Sequence, residues 1–267
     1  MPAEAALTLK AVTKRFGGLT VADHVSFDVP AGSRMALIGP NGAGKTSLFN
    51  LISGVYPLDA GDILLDGAPI QTMPPRLRVR AGLARSFQNI RLMPHLSVAE
   101  NVMLGQHVLA NDYVSMLSPL GWRRRNRWRQ QAKARLREAG IDVDPDADVS
   151  TLAYGVRKRI EVVRALMSRP RLLMLDEPAA GLNPRETAEL SAFLKSIARD
   201  GLTLLVVEHD MSFVHDLCER TVVLNFGRLI YDGPTRGVQD NEDVRAAYLG
   251  SRRVAVMGGN KGAKPAA

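Results

Sequence analysis

The chain has a single cysteine, Cys218, in 267 residues. That excludes internal disulfides and any cysteine-clustered metal site. No stretch reaches the roughly 18 consecutive apolar residues that a membrane-spanning helix needs. The N-terminal residues Met1–Ala6 lack a basic segment followed by an apolar one, so no secretory signal is expected there. There is no internal repeat and no sustained heptad pattern of the kind long coiled coils require. With 46% apolar and 23% charged residues, the composition is that of an ordinary globular protein, and a cytosolic one is expected.

Acidic residues are in deficit, and the formal net charge is +8. A basic protein binds nucleic acid or lies against anionic lipid head groups. Much of the excess is local, in the run Gly121–Arg129 with Lys133, Arg135 and Arg137 behind it, and in Arg252, Arg253, Lys261 and Lys264 of the tail. A solvated helix face plus a loose tail accounts for it equally well.

Against these absences stands one run, Gly39-Pro40-Asn41-Gly42-Ala43-Gly44-Lys45-Thr46, which fits the phosphate-cradling pattern G-x-x-x-x-G-K-[ST]. An apolar run, Met35–Ile38, precedes it as a buried strand would, and residues 46–52 follow as the first turns of a helix. Strand, glycine-rich turn and helix N-terminus together aim backbone N–H groups and the positive end of a helix dipole at one spot. In that setting Lys45 reaches the β- and γ-phosphates and the Thr46 hydroxyl ligates Mg²⁺.

The rhythm around this motif gives an expected α/β fold. Residues 7–12 and 25–29 alternate as strands of a half-exposed antiparallel sheet do, and 61–67 is a short strand closed by an Asp-Gly turn. From about 93 to 158 the pattern turns helical, with a capping box at Ser97 and Glu100 and a basic amphipathic helix over 122–139 stopped by Gly140. Continuous apolar runs at 172–175 and 203–207, with a helix over 185–199 between them, predict parallel strands buried on both faces. Residues 221–224 and 228–231 form a hairpin. The tail after about 250 has too little apolar surface to order itself.

Five further residues carry chemistry. Asp176 and Glu177 end an apolar strand at the sheet edge where open α/β sheets bind ligands. Asp176 there holds Mg²⁺ by way of water, and Glu177 polarises the water that attacks a γ-phosphate. The plain alternative is an acidic start to the next helix. His209 follows the next buried strand and reaches the γ-phosphate and the attacking water, or else caps a helix. Gln88, before the helical stretch, touches Mg²⁺ and that water, or is a surface glutamine. Phe16, ahead of a glycine pair, stacks on adenine, or is an ordinary surface or core aromatic.

These pieces, in this order, resemble the ATP-binding subunits of ABC transporters over residues 6–250. Residues 39–46 are similar to the Walker A loop, Gln88 to the Q-loop glutamine, and residues 172–177 to Walker B with its catalytic glutamate. Ala180-Gly-Leu-Asn183 resembles the D-loop, His209 the switch histidine and Phe16 the adenine-stacking aromatic. Leu152-Ala-Tyr-Gly-Val156 lies where the L-S-G-G-Q signature belongs. Residues 87–98, 152–155, 176–184 and 247–250 resemble branched-chain amino acid importers, and specifically the larger of their two ATPase subunits, which has an extra basic stretch in its helical part.

The resemblance implies a P-loop NTPase fold of RecA-like type: a mostly parallel sheet core with an antiparallel β subdomain and an inserted α-helical subdomain. It implies a core at 6–92 and 159–235, a helical subdomain with its basic insert at 93–158, a C-terminal helix at 236–250 and a disordered tail at 251–267. The nucleotide-binding set becomes Phe16, Gly39, Pro40, Asn41, Gly42, Ala43, Gly44, Lys45, Thr46, Ser47 and Asp176, with Ala153, Tyr154 and Gly155 acting in trans. The catalytic group is Glu177, His209 and Gln88, and Mg²⁺ sits with Thr46, Gln88 and Asp176. ATP is the nucleotide.

Two such subunits pair head-to-tail, as a homodimer or a heterodimer. They drive two membrane permeases, and indirectly serve a periplasmic solute-binding protein, at the cytoplasmic face of the inner membrane. No nucleic acid is expected. An exporter of lipid or lipopolysaccharide is the alternative within transport, and a soluble ATPase acting on DNA or the ribosome the alternative outside it. The signature departs from the family pattern at Ala153, Tyr154 and Val156. The first two are familiar in this subgroup; Val156 stands where a glutamine is usual, and puts the rate in question.

Overall fold

The computed structural model describes residues 4–86, 90–109 and 119–248. Gln88 and the tail 251–267 lie outside the described residues. The strands are β1 (Ala5–Phe16), β2 (Leu19–Pro30), β3 (Arg34–Ile38), β4 (Ala60–Leu65), β5 (Ala68–Pro69), β6 (Leu83–Arg85), β7 (Leu172–Asp176), β8 (Thr203–Val207), β9 (Arg220–Asn225) and β10 (Arg228–Pro234). The α-helices are α1 (Lys45–Ser53), α2 (Pro75–Arg80), α3 (Val98–Met103), α4 (Pro119–Glu138), α5 (Tyr154–Leu166), α6 (Pro184–Ala198) and α7 (Met211–Leu217), with a further helical segment over 242–248.

Two sheets form. A four-stranded antiparallel sheet has the order β2-β1-β4-β5, and a six-stranded one has the order β10-β9-β3-β8-β7-β6. Within the larger sheet β3 and β6 to β9 run parallel, and β10 closes one edge as an antiparallel hairpin with β9. β7 and β8 are buried along their whole length, which is why their sequences show no polar alternation.

Alternation persists in which face each apolar residue serves, since neighbouring side chains point to opposite sides of a sheet. Met35, Leu37, Leu172, Met174, Leu205 and Val207 face a core shared with α1 and with Leu7, Leu9 and Ile63 of the antiparallel sheet. Ala36, Ile38, Leu173, Leu175, Leu204 and Val206 face a second core built with residues of α4, α5, α6 and α7. The parallel sheet is thus the middle layer, and the loops at the C-terminal ends of β3, β7 and β8 share one edge.

Local signals account for most boundaries. Asp66 and Gly67 both have positive φ, 46° and 76°, as a two-residue hairpin turn demands. The capping box at Ser97 forms: its hydroxyl accepts from the Glu100 N–H, and the Glu100 carboxylate accepts from the Ser97 N–H. The helix expected over 122–139 is α4, which begins three residues earlier and ends one residue sooner, with Gly140 at φ 63° beyond it. α4 seats only a narrow apolar edge, with Ala132 and Leu136 fully buried.

The C-terminal helix is a correction. The sequence pattern starts it at 236, but Thr235–Gly237 forms a 3₁₀ turn and the helical segment starts at 242. Asn241 starts it, with its side-chain oxygen accepting from the Val244 N–H at 3.0 Å. The Thr221–Thr235 hydroxyl bond of 2.9 Å, buried, pins the turn before it.

Candidate nucleotide-binding site

The loop 39–44 joins β3 to α1, as its sequence predicts. Two glycines are required by close approach. A Cβ on Gly39, at φ 151°, would lie 2.1 Å from the Leu224 carbonyl oxygen, and one on Gly44, at φ 102°, would lie 2.2 Å from that of Val21. Both contacts are with backbone, so neither neighbour can move aside cheaply. Gly44 is also the N-cap of α1, and no side chain caps the helix there. The first N–H groups of α1 therefore stay open to an anion.

Lys45 curls back over this loop. Its Nζ donates to the carbonyls of Gly39 at 2.7 Å and Pro40 at 3.0 Å. Burial holds its ammonium below the ordinary lysine pKa, while the carboxylates of Glu177 and Asp176 act against that shift. The lysine, the aspartate and the glutamate therefore share one electrostatic neighbourhood. Thr46 is exposed at the first turn, with Ser47 half-buried behind it.

β7 delivers Asp176, 5% exposed, and the chain then turns sharply at Glu177. Glu177 is half-buried with φ 47°, an unusual conformation for a non-glycine residue. Its N–H donates to the Val207 carbonyl on β8 at 2.9 Å. Its own carbonyl accepts from the Ala180 N–H, and the Lys158 ammonium approaches the same oxygen at 3.5 Å. Backbone pairing thus anchors Glu177 to the end of β8, next to His209. The His209 side chain is largely exposed.

The Thr46 hydroxyl and the Asp176 carboxylate are hard oxygen donors of the kind Mg²⁺ accepts when it keeps waters and phosphate oxygens as its other ligands. Among the described residues no cluster of three or more His, Cys, Asp or Glu would hold a metal alone. The donor set fits a metal that arrives with a nucleotide.

Phe16 ends β1, 42% exposed. Its ring meets that of Tyr56 edge-on, 5.1 Å between centroids at 75°, and the Lys14 ammonium lies 5.2 Å away. The ring has these two neighbours and stays partly in solvent. The signature stretch opens α5: Ala153 is its N-cap and makes no side-chain capping bond. Gly155 lies against α6, where a Cβ would fall 2.7 Å from the Glu186 carboxylate. The Tyr154 ring lies over Gly181. Val156, unusual at its position, packs against the second core.

Three residues in this region escaped the sequence reading. Glu208 is 1% exposed and accepts from the Ala179 N–H at 2.8 Å and the His209 N–H at 3.0 Å. Burial raises its carboxyl above the usual range, and those two N–H groups oppose the rise. It ties the turn after Glu177 to the turn carrying His209. Lys158 on α5 is buried, and its ammonium feels Glu161, Glu208, Glu177 and Asp176. Arg85, at the end of β6, pairs with Asp176 at 2.7 Å. The available signals were an acid at a strand end in Val207-Glu-His209, and basic residues in otherwise apolar surroundings.

Comparisons with known proteins agree with this geometry. Residues 22–180 match the ABC transporter family. The chain is 40% identical over 248 residues to the high-affinity branched-chain amino acid transport ATP-binding protein BraF of Pseudomonas aeruginosa, covering 91% of this chain and 97% of that one. It is 36% identical over the same shares to the corresponding protein LivG of Escherichia coli. Among solved structures, a nucleotide-free ATP-binding cassette from an ABC transporter superposes with a TM-score of 0.82 at 25% identity, covering 91% of this chain and 98% of that one. The cassette cbiO1 from Clostridium perfringens gives 0.77 at 26% identity, over 95% and 98%. A P-loop in this fold, with a strand-end acid pair beside its lysine and relatives of this similarity over almost the whole chain, has one explanation: the chain belongs to the ABC transporter family, as an ATP-binding ATPase cassette.

Proposed function

We propose that this chain is the ATP-hydrolysing motor subunit of an importer for branched-chain or related hydrophobic amino acids, acting at the cytoplasmic face of the inner membrane. The observation that carries the reading is the shared edge of the parallel sheet, where β3 leads into the loop 39–44 and Lys45, and β7 ends in Asp176 with Glu177 next. Similarity to BraF and LivG over about nine-tenths of the chain supports the solute class. Among the described residues no helix is long and apolar enough to cross a membrane, so the translocation path belongs to permease subunits. A second ATPase subunit, identical or not, is the other partner, and a periplasmic binding protein selects the solute.

In this mechanism the 39–46 loop and the open N-terminus of α1 bind the phosphates of ATP. The Lys45 ammonium exchanges its two backbone carbonyls for phosphate oxygens. Phe16 stacks on the base. Thr46 and Asp176, with Gln88, would hold Mg²⁺, which would supply charge neutralisation to the phosphates. Glu177 orients and polarises the attacking water, and His209 bonds the γ-phosphate and that water. The partner's copy of Ala153–Gly155 closes over the phosphates with its helix N-terminus. The work is mostly positioning and charge stabilisation, and the fixed backbone at Glu177 serves it by holding the carboxylate in place.

The test is recovery of the Glu177→Gln protein with ATP from its native membrane. Two multi-span permeases and a second ATPase subunit are expected, with ATP still bound and turnover reduced by at least about a hundredfold. Recovery with ribosomes or DNA and without permeases would overturn the transport reading. Normal turnover would remove Glu177 from its role.

A further inference from the structure

The carboxylate of Asp176 is not held by β7 alone. The Arg85 guanidinium crosses from the end of the neighbouring strand β6 and donates through Nη2 to Asp176 Oδ2 at 2.7 Å. Through Nη1 the same group donates to Asn50 Oδ1 at 2.7 Å and Ser53 Oγ at 3.0 Å, both on α1. Its carbon lies 5.5 Å from the Phe49 ring centroid, again on α1. The side chains of the pair are only 9% and 7% exposed. One planar cation therefore joins three elements: the strand that leads towards Gln88, the strand that ends in Asp176, and the helix whose first turn carries Lys45 and Thr46.

We propose that Arg85 is the positioning residue for metal binding at Asp176: it holds the carboxylate in the orientation that receives Mg²⁺ with the nucleotide and ties it to the phosphate-binding helix. The inference rests on the reading of Asp176 as a metal ligand. Arg85 engages one carboxylate oxygen, Oδ2, and so fixes the rotation of the group about its side-chain bond. Partners that orient a metal-ligating carboxylate commonly change metal affinity by 10- to 100-fold. A guanidinium suits the task because its rigid fork bonds in several directions at once, which an ammonium on a flexible stem does not do. Lys45 and Lys158 also act electrostatically on Asp176. What Arg85 adds is direction.

The experiment measures binding of a fluorescent ADP analogue to the purified full chain, once in excess EDTA and once in excess Mg²⁺. The ratio of the two affinities is the metal-dependent part of nucleotide binding. Arg85→Gln is expected to cut that ratio about tenfold while the EDTA affinity stays within about twofold. Arg85→Lys is expected to restore part of the ratio, and Asn50→Ala, which removes only an anchor of the guanidinium, to lower it less than Arg85→Gln. Asn50→Ala and Ser53→Ala carry the test if truncation of the buried arginine prevents folding.

A ratio unchanged or increased in the Arg85 and Asn50 variants, while Asp176→Asn abolishes it, would overturn the role of Arg85 and leave Asp176 standing. Equal loss of both affinities in the Arg85 variants would mean a purely structural role. A ratio insensitive to Asp176→Asn would overturn the metal reading and the inference together.

Discussion

Cations in two regions of this molecule behave in opposite ways. On the nucleotide side, Lys45, Arg78 and Arg85 are partly or fully withdrawn from water, and each is bonded to atoms the fold presents to it. Arg78 is 2% exposed and donates to the carbonyls of Leu51 and Ile52 at 2.7 Å, Met73 at 2.8 Å and Gln71 at 3.0 Å. It bonds carbonyls in the last turn of α1, adding to the Gly54 N–H that the Leu51 carbonyl also accepts at 3.1 Å. Gly54, at φ 81°, lets it approach, since a Cβ there would lie 2.7 Å from the Arg78 Nε. Arg125 and Arg135 of α4 stand in solvent: Arg135 pairs with Glu138 at 2.9 Å, with the two side chains 50% and 60% exposed, and Arg125 reaches Glu100 only at 3.6 Å. These exposed arginines of α4 thus hold little together. Burial, not the number of like residues, decides what a cation contributes.

The contrast can be broken by substitution. Lys45→Ala should have the largest effect, on function: nucleotide affinity should fall by roughly 3 kcal/mol, more than a hundredfold, because charge-assisted bonds to phosphate are lost. Equilibrium binding of a fluorescent nucleotide measures it, and unchanged affinity would contradict the phosphate-binding role of the loop. Arg78→Ala should come next, on stability, at about 2–3 kcal/mol, because buried carbonyls lose a hydrogen-bond partner. A urea midpoint close to that of the parent would place Arg78 with the solvent-exposed arginines. Arg135→Ala should cost about 0.3 kcal/mol or less, as exposed helix pairs do. A loss above about 1 kcal/mol would erase the distinction between the regions.

The sheet strands were readable because their signals are local. A run such as Leu172–Leu175 leaves little choice but a strand buried on both faces, and the loop after Met35–Ile38 has a glycine at each point where the backbone passes another chain segment. Ser97 and Glu100 announced their helix for the same reason: both halves of the capping box lie within one turn. The C-terminal helix starts later than the sequence pattern places it because the Thr221–Thr235 bond, between residues 14 positions apart, holds the chain in a 3₁₀ turn first. Among site residues, Lys45, Asp176 and Glu177 were visible from motif and strand context. Arg85, Lys158 and Glu208 were not, because a basic or acidic residue beside an apolar run looks the same whether it ends in solvent or in a buried network.

The amino-acid order by itself determined the strand–loop–helix that cradles phosphate, the two buried strands that deliver Asp176 and His209 to one sheet edge, and the family resemblance these make together. Each rests on propensity, periodicity or spacing within a few residues. Only the tertiary structure decided which charges meet. It brought Arg85 across to Asp176, 91 positions later, and Glu208 back to Ala179, 29 positions earlier. A buried charge is stable only beside its partners, and those partners lie on separate strands and helices that meet only when the sheet assembles.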